Sequence, residues 1–199
     1  MSAGLPIAFP SGLLPSSMLN GPFLWYATRA AGLVTMVLLT ASMALGVLNA
    51  GRFGTSRWPR FLVQGLHRNL ALLALVFLAL HVGTTVIDTY TSIGLSAAFV
   101  PFVSSYKRFW LGLGALACDL LLALTITSLL RQRIGHRFWR VVHWAGYWCW
   151  PIAMVHGFGA GTDHGKPWVL ILTFSCVGVV VGSVIYRAVR AVPARRLAP

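Results

Sequence analysis

Four stretches of this chain contain no Asp, Glu, Lys or Arg: those between Arg29 and Arg52, Arg68 and Asp88, Arg140 and Asp163, and Lys166 and Arg187. Each is long enough to cross the hydrocarbon of a bilayer, which takes about 20 residues. A further apolar stretch, Phe109 to Leu130, is interrupted only by Asp119. The expected fold is an all-α membrane protein, a bundle of five transmembrane helices near residues 24 to 48, 61 to 83, 109 to 130, 138 to 158 and 168 to 190. The chain is only 10% charged, against roughly 25% in an ordinary soluble domain.

The formal charge of +13 would suggest nucleic acid in a soluble protein. Here the basic residues bracket the helices instead of lining one face, so no nucleic-acid partner is expected. They set the topology instead. With the N-terminus outside, 12 arginines of the 52–68, 131–140 and 187–196 segments fall inside, and only Arg29, Lys107, Arg108 and Lys166 outside. By the positive-inside rule the C-terminus is cytoplasmic.

Residues 1–23 are expected to form an external tail. The first 22 are uncharged, with Pro6, Pro10, Pro15 and Pro22, and lack the basic region of a secretory signal. Residues 24–190 form the membrane domain and 191–199 a basic cytoplasmic tail. The apolar external segment from Thr84 to Arg108 reads as a cap along the interface. Cys118, Cys149 and Cys176 lie in three different spans and read as packing thiols without a disulfide framework. No Gly-rich nucleotide fingerprint, phosphate loop or strand alternation occurs. Any flavin or nicotinamide chemistry is therefore expected from another chain.

Ionisable side chains at membrane depth are functional candidates by default, and four histidines lie inside the spans. His67 and His81 stand 14 residues apart on the second helix, which places them on nearly one face and about 21 Å apart along the axis. His143 and His156 on the fourth helix are 13 apart, which in a straight helix rotates one from the other by about 140°. Pro151 between them offers a kink to correct this. Both helices run from inside to outside, so His67 comes level with His143 and His81 with His156. Two imidazoles on facing helices suit the axial positions of a haem iron, whereas zinc normally wants three or four protein ligands. The plainer alternative is that these histidines hydrogen-bond between helices and bind the bundle together. His136 and His164 fall in connections and read as solvated.

With these residues in place, the chain over about 24–190 resembles the ferric-reductase-like transmembrane domain. That family includes ferric reductases, NADPH oxidases and the haem-binding membrane subunit of bacterial methionine sulfoxide reductase systems. The resemblance rests on the two histidine spacings, on WYATRAAG from Trp25 and on HGFGAGTD from His156. It implies two haem b groups, the inner held by His67 and His143 and the outer by His81 and His156, carrying electrons across the bilayer singly. Oxidase and eukaryotic reductase members carry a cytoplasmic flavin and nicotinamide domain after the last helix. This chain stops at Pro199, so NADPH oxidation of its own is not expected.

Haem propionates call for cationic partners, and arginine binds carboxylate in a planar fork. Arg68 beside His67, Arg140 three residues before His143 and Arg29 at the outer end of the first helix are the candidates. Each could equally snorkel to the interface without touching a cofactor. Asp119 at mid-span reads either as a proton relay or as a structural hydrogen bond. Gly65, Gly83, Gly112, Gly114, Gly146 and Gly157 offer small residues near the ligand helices, and Trp144, Tyr147, Trp148 and Trp150 offer rings.

The function expected is a dihaem cytochrome b subunit in the cell membrane, of bacterial plasma-membrane type. It would take electrons from a separate cytoplasmic flavoprotein or other reductase, or from a membrane quinol. It would pass them to ferric iron or a redox protein outside, making it one component of an oxidoreductase. The alternative is a non-redox transporter or scaffold whose histidines bind a divalent ion. Against that, ligands about 21 Å apart on one helix cannot share an ion.

Overall fold

The computed structural model describes residues 22–196 apart from 52, 56, 57 and 89–92. The expected external tail therefore lies almost wholly outside the described residues, as do Arg52 and Arg57. Among the described residues eight helices follow in order: α1 Pro22–Ala50, α2 Arg60–Ile87, α3 Ser96–Phe99, α4 Arg108–Leu129, α5 Arg131–Ile134, α6 His136–Trp144, α7 Gly146–Ala160 and α8 Pro167–Arg196. No strand occurs among the described residues.

Proline marks three of the starts. Pro22 and Pro167 open α1 and α8, where the missing N–H costs nothing and the fixed φ is already helical. Pro59 immediately precedes α2 in an extended conformation. Between α5 and α6 the chain turns through Gly135 at φ 80°, a backbone that disfavours any side chain with a Cβ.

Four helices are long and apolar enough to span a membrane: α1, α2, α4 and α8. The chain is an integral membrane protein. Much of the apolar surface of α2 and α8 faces outward, as at Val76, Leu80, Ile171 and Phe174, which suits a protein whose solvent is lipid. The expected fourth span, 138 to 158, differs. It is two helices, α6 of 9 residues and α7 of 15, neither of which alone spans about 30 Å of hydrocarbon. The interruption lies at Ala145, while α7 continues through Pro151. It falls between His143 and His156, where the uneven spacing demands a change of rotation.

α1 packs along α2 and α8 and reaches α7, and α4 packs along α7. A small core of Leu121, Leu124 and Cys149 joins α4 to α7. Trp150 donates its indole N–H across to Thr40 Oγ1 at 3.0 Å. The three cysteines are buried and unbridged. On the side expected to be external, α3 lies against α4, with the Phe102 ring packed over Gly112, where a Cβ would collide with it. Lys107 donates to the carbonyl of Ala160 at 3.2 Å, placing a cation at the carbonyl end of α7.

Candidate functional site: two histidine pairs

The histidines meet as two pairs. The ring centroids of His67 and His143 are 6.2 Å apart with planes at 80°, and those of His81 and His156 are 6.4 Å apart at 76°. In each pair one ring comes from α2 and the other from the α6–α7 segment. No group of three or more His, Cys, Asp or Glu side chains able to hold a metal forms among the described residues, so each cluster is a pair of histidines.

Three of the four rings are fixed in one way. Nδ1–H of His81 donates to the carbonyl of Thr28, that of His67 to the carbonyl of Ser42, and that of His156 to the carbonyl of Trp110, each at 2.8 Å. An imidazole that donates from Nδ1 presents Nε2 as its lone-pair nitrogen, and such a second bond is the usual way a metal-ligating histidine is oriented and made more basic.

A glycine follows each acceptor by four residues: Thr28 and Gly32, Ser42 and Gly46, Trp110 and Gly114. Each lies against the ring its partner carbonyl holds. A Cβ on Gly32 would be 3.0 Å from His81 Nδ1, one on Gly46 3.2 Å from His67 Cε1, and one on Gly114 2.5 Å from His156 Cε1. One helical turn separates acceptor and glycine, so the missing side chain lets the ring reach the carbonyl. On α1 the device appears twice at a spacing of 14, as Thr-Arg-Ala-Ala-Gly and Ser-Met-Ala-Leu-Gly, the same spacing as His67 and His81.

His143 is different. Its Nδ1 is buried without a hydrogen-bond partner. Its ring lies instead on Trp139, with centroids 4.8 Å apart and planes at 26°.

Of the glycines singled out from sequence, Gly114 contacts a histidine, whereas Gly65, Gly83 and Gly157 face open space. Gly32 and Gly46 were not among the candidates, although their spacing of 14 was there to be read. Trp144 and Trp148 are exposed, at 61% and 71%, and Tyr147 accepts from Arg187 at 2.9 Å. Asp119 is half-buried, with no side-chain hydrogen bond among the described residues.

The arginines divide. Arg68 is exposed beside His67, and Arg140 donates to His136 Nε2 at 2.7 Å. Arg29 is paired within the chain. It forms an ion pair with Asp163, donates to Thr162 Oγ1 at 3.2 Å and stacks over Trp25 at 4.4 Å. The segments WYATRAAG and HGFGAGTD thus meet at Arg29. This bond and the nearby Lys166 ammonium, 3.3 Å away, hold the Asp163 carboxyl below its usual range.

The sequence model of one protein family, described as ferric reductase like transmembrane component, matches residues 31–154. The chain belongs to this family of membrane electron-transfer proteins, whose members are generally haem-binding. Comparison with curated proteins and with solved structures gives no match.

Proposed function

We propose that the chain is a dihaem b-type subunit of the cell membrane, of bacterial plasma-membrane type. Residues 24–190 cross the bilayer five times, α6 and α7 together forming the fourth crossing, with tail 1–23 outside and tail 191–199 in the cytoplasm. Electrons enter from a cytoplasmic flavoprotein or other reductase, or from a quinol, and leave to ferric iron or a redox protein outside.

The observation that carries this reading is the centroid separation of 6.2 and 6.4 Å. Two metal–nitrogen bonds of about 2 Å and two ring radii of about 1.1 Å add up to about 6.2 Å between imidazole centres on one metal. The stacked rings of His143 and Trp139, by contrast, sit 4.8 Å apart, too close to admit a metal between them. The donor set also fits a haem: paired neutral imidazoles, three of them held by backbone carbonyls.

In this reading His67 and His143 would hold the inner haem, and His81 and His156 the outer. Such a group, when bound, would supply one-electron transfer at each histidine pair. The protein's own part is to keep the four rings rigid, so that little rearrangement accompanies the change of charge, and to surround them with apolar helix. Arg68 and Arg140, on the cytoplasmic side, would be the carboxylate partners of the inner propionates. Arg29 joins the outer ends of α1 and α7.

The test is an optical spectrum of purified protein before and after dithionite, with haem counted per chain. Two low-spin haems are expected in the parent. His81→Ala should lose the outer and His67→Ala the inner. A colourless preparation from haem-replete cells would refute the reading.

A further inference from the structure

Resting on the dihaem reading, we infer that Trp139 is the positioning residue of His143, doing by ring stacking what a backbone carbonyl does for the other three histidines.

At the outer site both rings are tied at Nδ1, to Thr28 on α1 and Trp110 on α4. At the inner site only His67 is tied. Fourteen residues beyond Trp110 and Gly114 on α4 stand Leu124 and Ser128. Serine occupies the place where a glycine would admit the ring. The nearby carbonyls are also occupied: the Thr127 hydroxyl donates to Ala123 at 2.6 Å and to Leu124 at 3.3 Å. The carbonyl-and-glycine device is therefore absent from the fourth position, and the unpartnered Nδ1 of His143 is the result.

Ser128 serves another ring. Its Oγ accepts the indole N–H of Trp139 at 3.2 Å, fixing that ring to α4. His136 stacks on the far end of the row, 5.1 Å from Trp139 with planes at 27°, and is itself held by Arg140. His136, Trp139 and His143 stand three and four residues apart, so they share one face of α6. A planar neighbour held by a hydrogen bond restrains rotation of the His143 ring about its own bonds, which is the freedom an Nδ1 bond removes elsewhere.

The experiment uses full-length, haem-loaded protein bearing Trp139→Leu or Trp139→Phe, read by the ferric electron paramagnetic resonance spectrum and by carbon monoxide binding after dithionite reduction. Wild type should bind no carbon monoxide. Trp139→Leu should convert one haem of the two from low-spin to carbon-monoxide-binding, about one ligand per chain, with the other haem unchanged. Trp139→Phe, which keeps a stacking ring, should remain silent to carbon monoxide. Ser128→Ala should give a partial version of the leucine phenotype.

The inference is overturned if Trp139→Leu keeps two low-spin haems that ignore carbon monoxide. It is overturned equally if phenylalanine behaves like leucine, or if the outer haem changes as much as the inner. Wild-type protein with fewer than two haems would instead refute the dihaem reading itself.

Discussion

Gly114 lies so close to His156 that a methyl group on its Cα would sit 2.5 Å from the ring's Cε1 and 2.6 Å from Nδ1. Real side chains do not approach that closely, so Gly114→Ala must drive the imidazole off the Trp110 carbonyl or force α4 and α7 apart. Overpacking of this kind costs about 1–3 kcal/mol, and disturbing the hydrogen bond behind a metal ligand costs about 10–100-fold in affinity. On the proposed dihaem reading, loss of the outer haem with the inner retained is the expected outcome, measured by haem content and reduced-minus-oxidised spectra. Gly32→Ala, at 3.0 Å from His81, and Gly46→Ala, at 3.2 Å from His67, should be milder, the first acting on the outer site and the second on the inner. Full haem content in Gly114→Ala would refute the account.

The ring planes within each pair are close to perpendicular, at 80° and 76°. When two axial imidazoles are crossed, their π orbitals act equally on the two metal d orbitals they overlap, leaving these nearly degenerate. On the proposed dihaem reading, ferric protein should accordingly show strongly anisotropic low-spin resonance signals from both sites. A spectrum of the ordinary rhombic type from both sites would mean that the rings lie parallel.

The Arg29–Asp163 contact predicts a defined pH response. Asp163 has its pKa depressed in the folded protein by Arg29 first and Lys166 second. The contact therefore stabilises the fold above the usual carboxylate pKa, and that contribution fades as pH falls from about 4 through the lower folded value. Asp163→Asn should lower the melting temperature of the detergent-solubilised protein at neutral pH and flatten its dependence on acid. An unchanged acid limb in the variant would show that the pair does not fasten α1 to the loop before α8.

The helices were readable because lipid forces long charge-free runs, and the histidine pairs because a regular helix turns a spacing of 14 into a shared face. The division at Ala145 was not, because Pro151 is the more obvious breaker, and the change from the basic stretch before Ala145 to the apolar one after it reads equally well as a single helix entering the membrane. The acceptors behind the rings were hidden for a different reason. Every residue has a carbonyl, so only the glycine one turn later marks which one is used. Trp139 left no sequence signal of its role, because stacking on a ligand and ordinary helix packing require the same residue types.

α1 contributes no histidine, yet it carries both acceptors for α2, spaced as the histidines are and running in the opposite direction. Sliding α1 by one turn, about 5.4 Å, would withdraw both carbonyls together and bring both glycines out of step with their rings. The two centres are therefore gauged by a single rod. A displacement of α1 would disturb both histidine pairs at once.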